Sequence, residues 1–365
     1  MYKRQGIDAA FLNNRIDVSM EYYNTKTKDV IWNKALPVIN GAFSPDGGPK
    51  ANYTTNLNMC ETSNKGFELA LNTRNIITKN FIWSSSVTFN HNKEKITKLS
   101  GGDSDVLNNG DTGYALALGE AINSYYHYKL DGVWQKGEET DAAVFGAAPG
   151  DLKINIPNLV KESDGRFYKI DEETGSAAVD ENGNVIYYTS DNKYTPSDAD
   201  YQILGHNSPD WSLGFQNNFT WKDFDLSVFV YARYGQMFAY DMLTSYDPKG
   251  IRNFPTYFNY WTENNPSNDF PAANANKGLE QYTGYYALRY VDGSFIKIKN
   301  ITLGYSLPKS ILKSAGIEKC RFYATITNPF VFAKSHLLKD YDPEMNGSLK
   351  YPLTKQFVFG VNVTF

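Results

Sequence analysis

Three carboxylate groupings, Asp103/Asp105, Glu138/Glu139 and Glu172/Glu173, are the residues best placed in sequence to act as an acid–base or acid–nucleophile pair. Glycoside hydrolysis needs two such carboxyls about 5–10 Å apart on rigid elements. All three groupings lie in loop-like, solvated stretches, where carboxylates mainly keep a chain soluble. The four histidines (His91, His127, His206, His336) and two cysteines (Cys60, Cys320) are too few and too scattered for a CxxC or HExxH metal site or a disulfide framework. His91 follows an alternating segment without a neighbouring ligand. Cys60 reads as a loop residue and Cys320 as a strand start, neither with an activating cation pattern. No GxSxG, P-loop or GxGxxG fingerprint occurs. The expectation is a protein that is not an enzyme, with no metal and no cofactor.

Aromatic residues offer a different chemistry. Trp134, Tyr257, Tyr260, Trp261, Tyr282, Tyr285 and Tyr286 fall in long polar segments, where ring faces can stack on sugars or seat an apolar partner. They can equally pack those segments onto one another. Trp261, Tyr257, Tyr260, Trp134 and Tyr285 are the candidate ligand or lid contacts, with Trp261 foremost.

What must position these residues is a β framework. The chain has 365 residues, enough for two or three globular domains or one large all-β domain. Its 36 Lys+Arg balance 40 Asp+Glu with no basic stripe, which argues against a nucleic-acid partner. Aromatics make up 15% of the chain although its mean hydropathy is −0.48. Alternation of apolar and polar positions reconciles the two, and it recurs along the chain. Phe67, Leu69 and Leu71 alternate with Gly66, Glu68, Ala70 and Asn72. Phe81, Trp83, Val87 and Phe89 alternate with Ile82, Ser84, Ser86, Thr88 and Asn90. Ile16, Val18, Met20 and Tyr22 repeat the pattern, as do Trp211, Leu213, Phe215, Phe219 and Trp221. Phe357, Phe359, Val361, Val363 and Phe365 alternate with Val358, Gly360, Asn362 and Thr364. One segment changes phase: Ile296 and Ile298 share a parity that Ile301, Leu303 and Tyr305 do not, which predicts a β-bulge near Lys299–Asn300.

Alternation alone fits a β-sandwich with a dry core or a transmembrane barrel with apolar residues facing lipid. Three features favour the barrel. Strands of about ten residues cross an apolar band of ~25 Å, longer than the usual sandwich strand. Short turns (Asn13-Asn14, Ile76–Lys79, Lys222-Asp223) alternate with long segments between Asn33 and Ser63, Leu99 and Ala121, Trp134 and Pro209, and Gly235 and Tyr290. Aromatics gather near strand ends, at Tyr22-Tyr23, Trp32, Tyr125-Tyr126, Trp221 and Tyr231/Tyr234, as interfacial girdles require. No apolar run is long enough for a transmembrane helix. The first residues lack an apolar leader and pass directly into a strand-like segment, which reads as the tail of a longer polypeptide or as a complete protein with a short first strand.

Several blocks together resemble the SusC/RagA-type TonB-dependent outer-membrane transporters. They are the run from Val291 to Pro308 (VDGSFIKIKNITLGYSLP), Asn328-Pro329-Phe330, Tyr341-Asp342-Pro343-Glu344, Tyr351-Pro352 and Gly360–Phe365. Upstream, Asn14-Arg15, Glu21–Asn24, Lys26–Asp29, Asn64–Glu68, Pro149-Gly150-Asp151, Gly205 and Pro209-Asp210 follow in the family's order. The resemblance implies an all-β fold: a transmembrane antiparallel β-barrel of roughly 22 strands, plugged by an N-terminal domain coupled to the TonB complex. Residues 1–365 would be the C-terminal part of that barrel, about ten strands with long external loops, without plug or signal peptide. It further implies a location in the cell outer membrane, contact with outer-membrane lipid, a SusD-like lipoprotein partner, and import of oligosaccharides or peptides. The aromatic-ended last strand (Phe357, Phe359, Val361, Val363, Phe365) would be read by the outer-membrane insertion machinery. Two features depart from the family. An insert, 154–201, stands where relatives often carry an Asp-rich loop, and its Asp180–Asn184 reads as an Asn-Gly hairpin turn rather than a calcium ladder. Pro329 replaces a common Leu and is expected to mark a strand end. The rival from another class is a secreted β-sandwich carbohydrate-binding protein. As half a barrel, the chain alone should leave two unpaired edges and survive only in detergent.

Overall fold

The computed structural model describes residues 2–35, 54–99, 106–108, 114–245, 248–249, 255–313 and 316–365. Nine strands form one antiparallel sheet in which every strand pairs with its chain neighbours in the sheet: β1 (Tyr2–Phe11), β2 (Ile16–Ala35), β3 (Thr54–Ile77), β4 (Phe81–Leu99), β5 (Trp211–Trp221), β6 (Phe224–Tyr234), β7 (Phe295–Ser306), β8 (Lys319–Ala333) and β9 (Gln356–Thr364). β1 and β9 are the two edges. A sandwich would need two packed sheets. Here the aromatic strand faces do not cover one another: Trp221 is 56% exposed and Phe359 81%.

The pairing registers assign each parity to a face. Leu213, Ala232, Ile296 and Phe332 sit opposite one another across β5–β8, as do Phe219, Leu226, Leu303 and Ala324 three layers nearer the short turns. The other face carries Glu21, Glu68, Asn90, Ser212 and Thr302, and the long loops fold onto that polar side, where Lys297 is fully enclosed. On β5 the apolar face runs from Trp211, stacked on Tyr234 at 5.5 Å, to Trp221, stacked on Phe224 at 6.3 Å. Ten residues at ~3.3 Å rise and ~45° tilt give a band of about 23 Å, the height of a bilayer's hydrocarbon layer as such barrels meet it.

The turns follow local chemistry. Asn13 and Asn14 take left-handed φ of 54° and 60°, which asparagine tolerates better than most residues. Lys222 does the same (φ 53°) in the two-residue turn from Trp221 to Phe224. The phase change is the bulge expected: Lys299 is skipped between Ile298 and Asn300 in the pairing with β6. On the β8 side, Asn328 and Pro329 lie opposite that same residue. Pro329 therefore does not end its strand, which runs on to Ala333. It ends the pairing with β9, whose ladder stops at Thr327–Gln356, so the missing N–H faces no partner.

Three readings change. β2, β3 and β4 span 20, 24 and 19 residues, about twice the expected length. Much of 33–63 is thus strand, and 36–53 lie outside the described residues. Cys60 is not in a loop: it is buried in β3, packed with Ile96 and Leu116. Tyr22 and Tyr23 lie inside β2 rather than at its end. Asp103 and Asp105 fall outside the described residues.

Candidate ligand-facing loop layer

The long segments are folded. Short strands Ser124–His127 and Gln202–His206 pair with each other, as do Lys129–Val133 with Leu152–Asn155 and Met237–Ala239 with Tyr290–Asp292. Two apolar clusters hold them. One joins Phe238, Tyr240, Leu243, Phe258, Phe270 and Val291. The other joins Val133, Leu152, Trp261, Tyr282 and Tyr285.

These clusters show what the loop aromatics do. Trp261, Trp134 and Tyr285 expose only 7, 5 and 2% of their surface. The Trp261 indole N–H donates to Gln135 Oε1 at 2.9 Å, satisfying the one polar group its burial would strand. Gly150, in the left-handed region (φ 96°), leaves room for that ring: a Cβ there would lie 2.8 Å from Trp261 Cε3. Asp151 then pairs with Lys277, and Gly150 exchanges backbone bonds with Trp134 and Ala272, so Pro149-Gly150-Asp151 staples three loop segments. Lys153 Nζ sits 4.4 Å above the Trp134 ring. Tyr257 is half-buried against the first cluster, while Tyr260 and Tyr286 are 40 and 51% exposed. The five candidate contacts thus divide: Trp261, Trp134 and Tyr285 build the layer, Tyr257 lines its flank, and Tyr260 presents its ring.

The carboxylates are spoken for by local structure. Glu138 accepts from Lys153 Nζ at 2.6 Å and from the Gln135 N–H, which hold its carboxyl below the usual range. Glu139 accepts from the Gly137 N–H. Glu172 accepts from Asn158 Nδ2 at 2.8 Å. Asp180 accepts from the Asn182 and Asn184 N–H groups in a turn closed by Gly183 (φ 83°), the Asn-Gly hairpin turn expected at that point. The insert is anchored by a buried group: Lys169 Nζ and the Tyr194 hydroxyl both reach Asp200 Oδ1 at 2.6 Å. Burial favours the neutral form of Asp200, but those bonds and the Ser197 N–H outweigh it and leave the carboxyl below its ordinary range. Burial and the bond to Asp200 push Tyr194 up to about 12.

Two arrangements were hidden from sequence reasoning as sites. Lys297, fully buried on the polar face of β7, contacts Asp342 Oδ2 at 2.5 Å and Glu344 Oε2 at 2.8 Å, and Lys299 reaches Glu344 Oε1. The signal was present: lysines alternating with Ile296 and Ile298 put both charges on the polar parity, and the acids lie in the quoted Tyr341–Glu344 block. In the second, His127 stacks on Tyr201 at 4.8 Å, and Tyr290 leans on Tyr125 at 4.9 Å. Burial, with the Arg289 charge adding to it, pulls His127 down to about 4.

The loop layer also opens a cavity of about 440 Å³, with Tyr128, Ile203, Leu204, Met237, Leu288 and Leu337 on its walls and Lys129, Gln202, Asn268 and Asp269 among its polar groups. That volume lies within the range of small-ligand sites.

No family model matches the chain. TonB-dependent receptor P3 of Formosa agariphila is 28% identical over 382 residues, covering 99% of this chain and 33% of that protein. TonB-dependent receptor SusC of Bacteroides thetaiotaomicron is 27% identical over 370 residues, covering 99% of this chain and 31% of the protein. The solved structure of the RagAB peptide transporter superposes with a TM-score of 0.71 at 24% identity over 100% of this chain and 35% of its own. The chain thus spans about a third of the length of the proteins it matches. The sheet is a wall segment of a transmembrane antiparallel β-barrel. By sequence, the chain is similar over nearly its whole length to TonB-dependent receptors, SusC among them.

Proposed function

We propose that residues 1–365 form the C-terminal part of the barrel of an outer-membrane nutrient importer. The observation that carries this is the similarity to TonB-dependent receptors over 99% of the chain, laid on a sheet with one apolar and one polar face. Its role in import is that of wall, lumen lining and loop layer, and it is not enzymatic. Energy would come from the TonB complex, reached through an N-terminal part of the whole protein. Oligosaccharides or peptides would enter at the long-loop end beneath a SusD-like lipoprotein. Tyr260 and Tyr257 are the candidate contacts for ligand or lid, held in place by Trp261, Trp134 and Tyr285. Phe357, Phe359, Val361 and Val363 lie on the lipid-facing parity of β9, from 42 to 81% exposed. There, with Phe365, they would serve as the insertion signal.

The test is uptake of labelled oligosaccharides and peptides by cells carrying the full-length protein, with and without a working TonB complex. The expected result is accumulation of one solute class only when TonB works. Accumulation indifferent to TonB would overturn the reading.

A further inference from the structure

The cavity of the loop layer discriminates between the two solute classes left open above, and this inference rests on the import reading. Its walls are mostly aliphatic: Leu130, Ile203, Leu204, Met237, Leu288 and Leu337. A saccharide placed there would turn hydroxyls toward groups that cannot hydrogen-bond, losing on the order of tenfold in affinity for each one stranded. The two tyrosines are braced by neighbours: Tyr128 meets Tyr201 edge-on at 4.6 Å, and Tyr290 leans on Tyr125.

The polar groups are few and fixed. Gln202 spends its Nε2 on Asn155, donating to the backbone oxygen at 2.9 Å and to Oδ1 at 3.1 Å. Its Oε1 has no protein partner among the described residues. Asn268 spends its Oδ1 on the Val133 N–H at 3.2 Å and on Gln135 Nε2 at 3.0 Å, and a Gly132 with positive φ (110°) lets that amide approach. Its Nδ2 likewise has no protein partner among the described residues. The cavity therefore offers one anchored acceptor and one anchored donor, the complement of a peptide group's N–H and C=O. It also carries one charge of each sign. Lys129 makes no ion pair among the described residues, whereas Asp269 contacts the His336 ring at 3.0 Å and accepts from Asn259 Nδ2 at 3.4 Å. A neutral glycan would leave Lys129 without a counter-charge, whereas a short peptide brings a carboxylate.

We propose that this cavity binds a short peptide through an aliphatic side chain lodged against Ile203, Leu204 and Leu288, with one backbone amide on Gln202 and Asn268.

The experiment is calorimetric titration of the full-length protein in detergent with the tripeptides Ala-Leu-Ala and Ala-Ser-Ala and with maltotriose. Ala-Leu-Ala is expected to bind at least about tenfold more tightly than Ala-Ser-Ala, as burying one aliphatic side chain implies, and maltotriose not to bind. Leu288→Asn should weaken Ala-Leu-Ala by about tenfold. Lys129→Glu, at an exposed position, should weaken it severalfold. Equal affinity for the two peptides, binding of maltotriose, or Ala-Leu-Ala binding unchanged in both variants would overturn the proposal. TonB-dependent uptake of a saccharide with the cavity variants fully active would sink this inference and leave the import reading standing. Peptide binding as expected without TonB-dependent uptake would do the reverse.

Discussion

Lys297 Nζ lies 2.5 Å from Asp342 Oδ2, a β7 lysine with no solvent exposure joined to the loop that precedes β9. Glu344 completes the cluster, bridging Lys297 and Lys299. Two residues apart on one face of β7, Lys297 and Lys299 bring both ammonium groups to one carboxylate just before the strand changes phase.

Removing the central cation should expose this dependence. Lys297→Met leaves Asp342 enclosed without its partner and Glu344 with Lys299 alone, at a cost of about 3–5 kcal/mol. Thermal unfolding of the full-length protein in detergent should show the loss, with partial recovery on adding Asp342→Asn. An unchanged midpoint would mean the cluster contributes nothing to the fold.

Acid should act on the same loop. Burial disfavours the charged form of Glu344, but the bonds from Lys297 and Lys299 outweigh it, holding the carboxyl below its ordinary range. Its stabilisation is therefore complete above the unfolded value of about 4.3 and is lost as pH falls through the lower folded value. Proteolysis within 335–355 is expected to accelerate below about pH 4, and Glu344→Gln should flatten that response.

His127 gives a second pH window. Its neutral form is favoured by burial, with a folded pKa of about 4, so its contribution is whole above the unfolded value near 6.5 and drains away as pH falls toward 4. Replacement by Phe should remove the part of the stability loss between about pH 6.5 and 4. Persistence of the full slope in that variant would refute the assignment.

The Tyr23 ring covers Gly66, its paired neighbour on β3, and Tyr323 covers Gly360 on β9 in the same way; a Cβ at either glycine would overlap ring atoms. Gly66→Val should destabilise by about 1–3 kcal/mol through overpacking. The double change with Tyr23→Ala should recover most of it, because the obstruction is the ring. A deficit undiminished in the double variant would point to backbone conformation instead.

Asp200 anchors the insert. Asp200→Asn strips the counter-charge from Lys169 inside a buried contact, and limited trypsin digestion should then cut the 154–201 segment at least about tenfold faster, as a loss of more than 1.4 kcal/mol implies. Barrel strands should be digested as before.

The sheet was legible because its apolar residues must alternate to meet lipid. The hairpin at Lys222-Asp223 and the bulge at Lys299 came from parity alone. The reach of β2, β3 and β4 was not, since stretches such as Thr25–Lys28 stand where neither face needs to be apolar and the periodic signal vanishes. The loop layer escaped for another reason. Its strands are two to five residues long, and Trp261 is made a core residue by Gln135, 126 positions away. Aromatic content in an Asn- and Pro-rich segment cannot say which rings turn inward. Only their hydrogen-bond partners and neighbours do.

The unequal strands give this segment of the wall an uneven edge. Twenty residues of β2 climb about 45 Å at ~3.3 Å rise and ~45° tilt, against about 25 Å for β5 or β6. The surplus lies at the end of the sheet away from the short turns. Within this segment of wall, β2, β3 and β4 therefore stand proud of β5 and β6 on the side of the long loops.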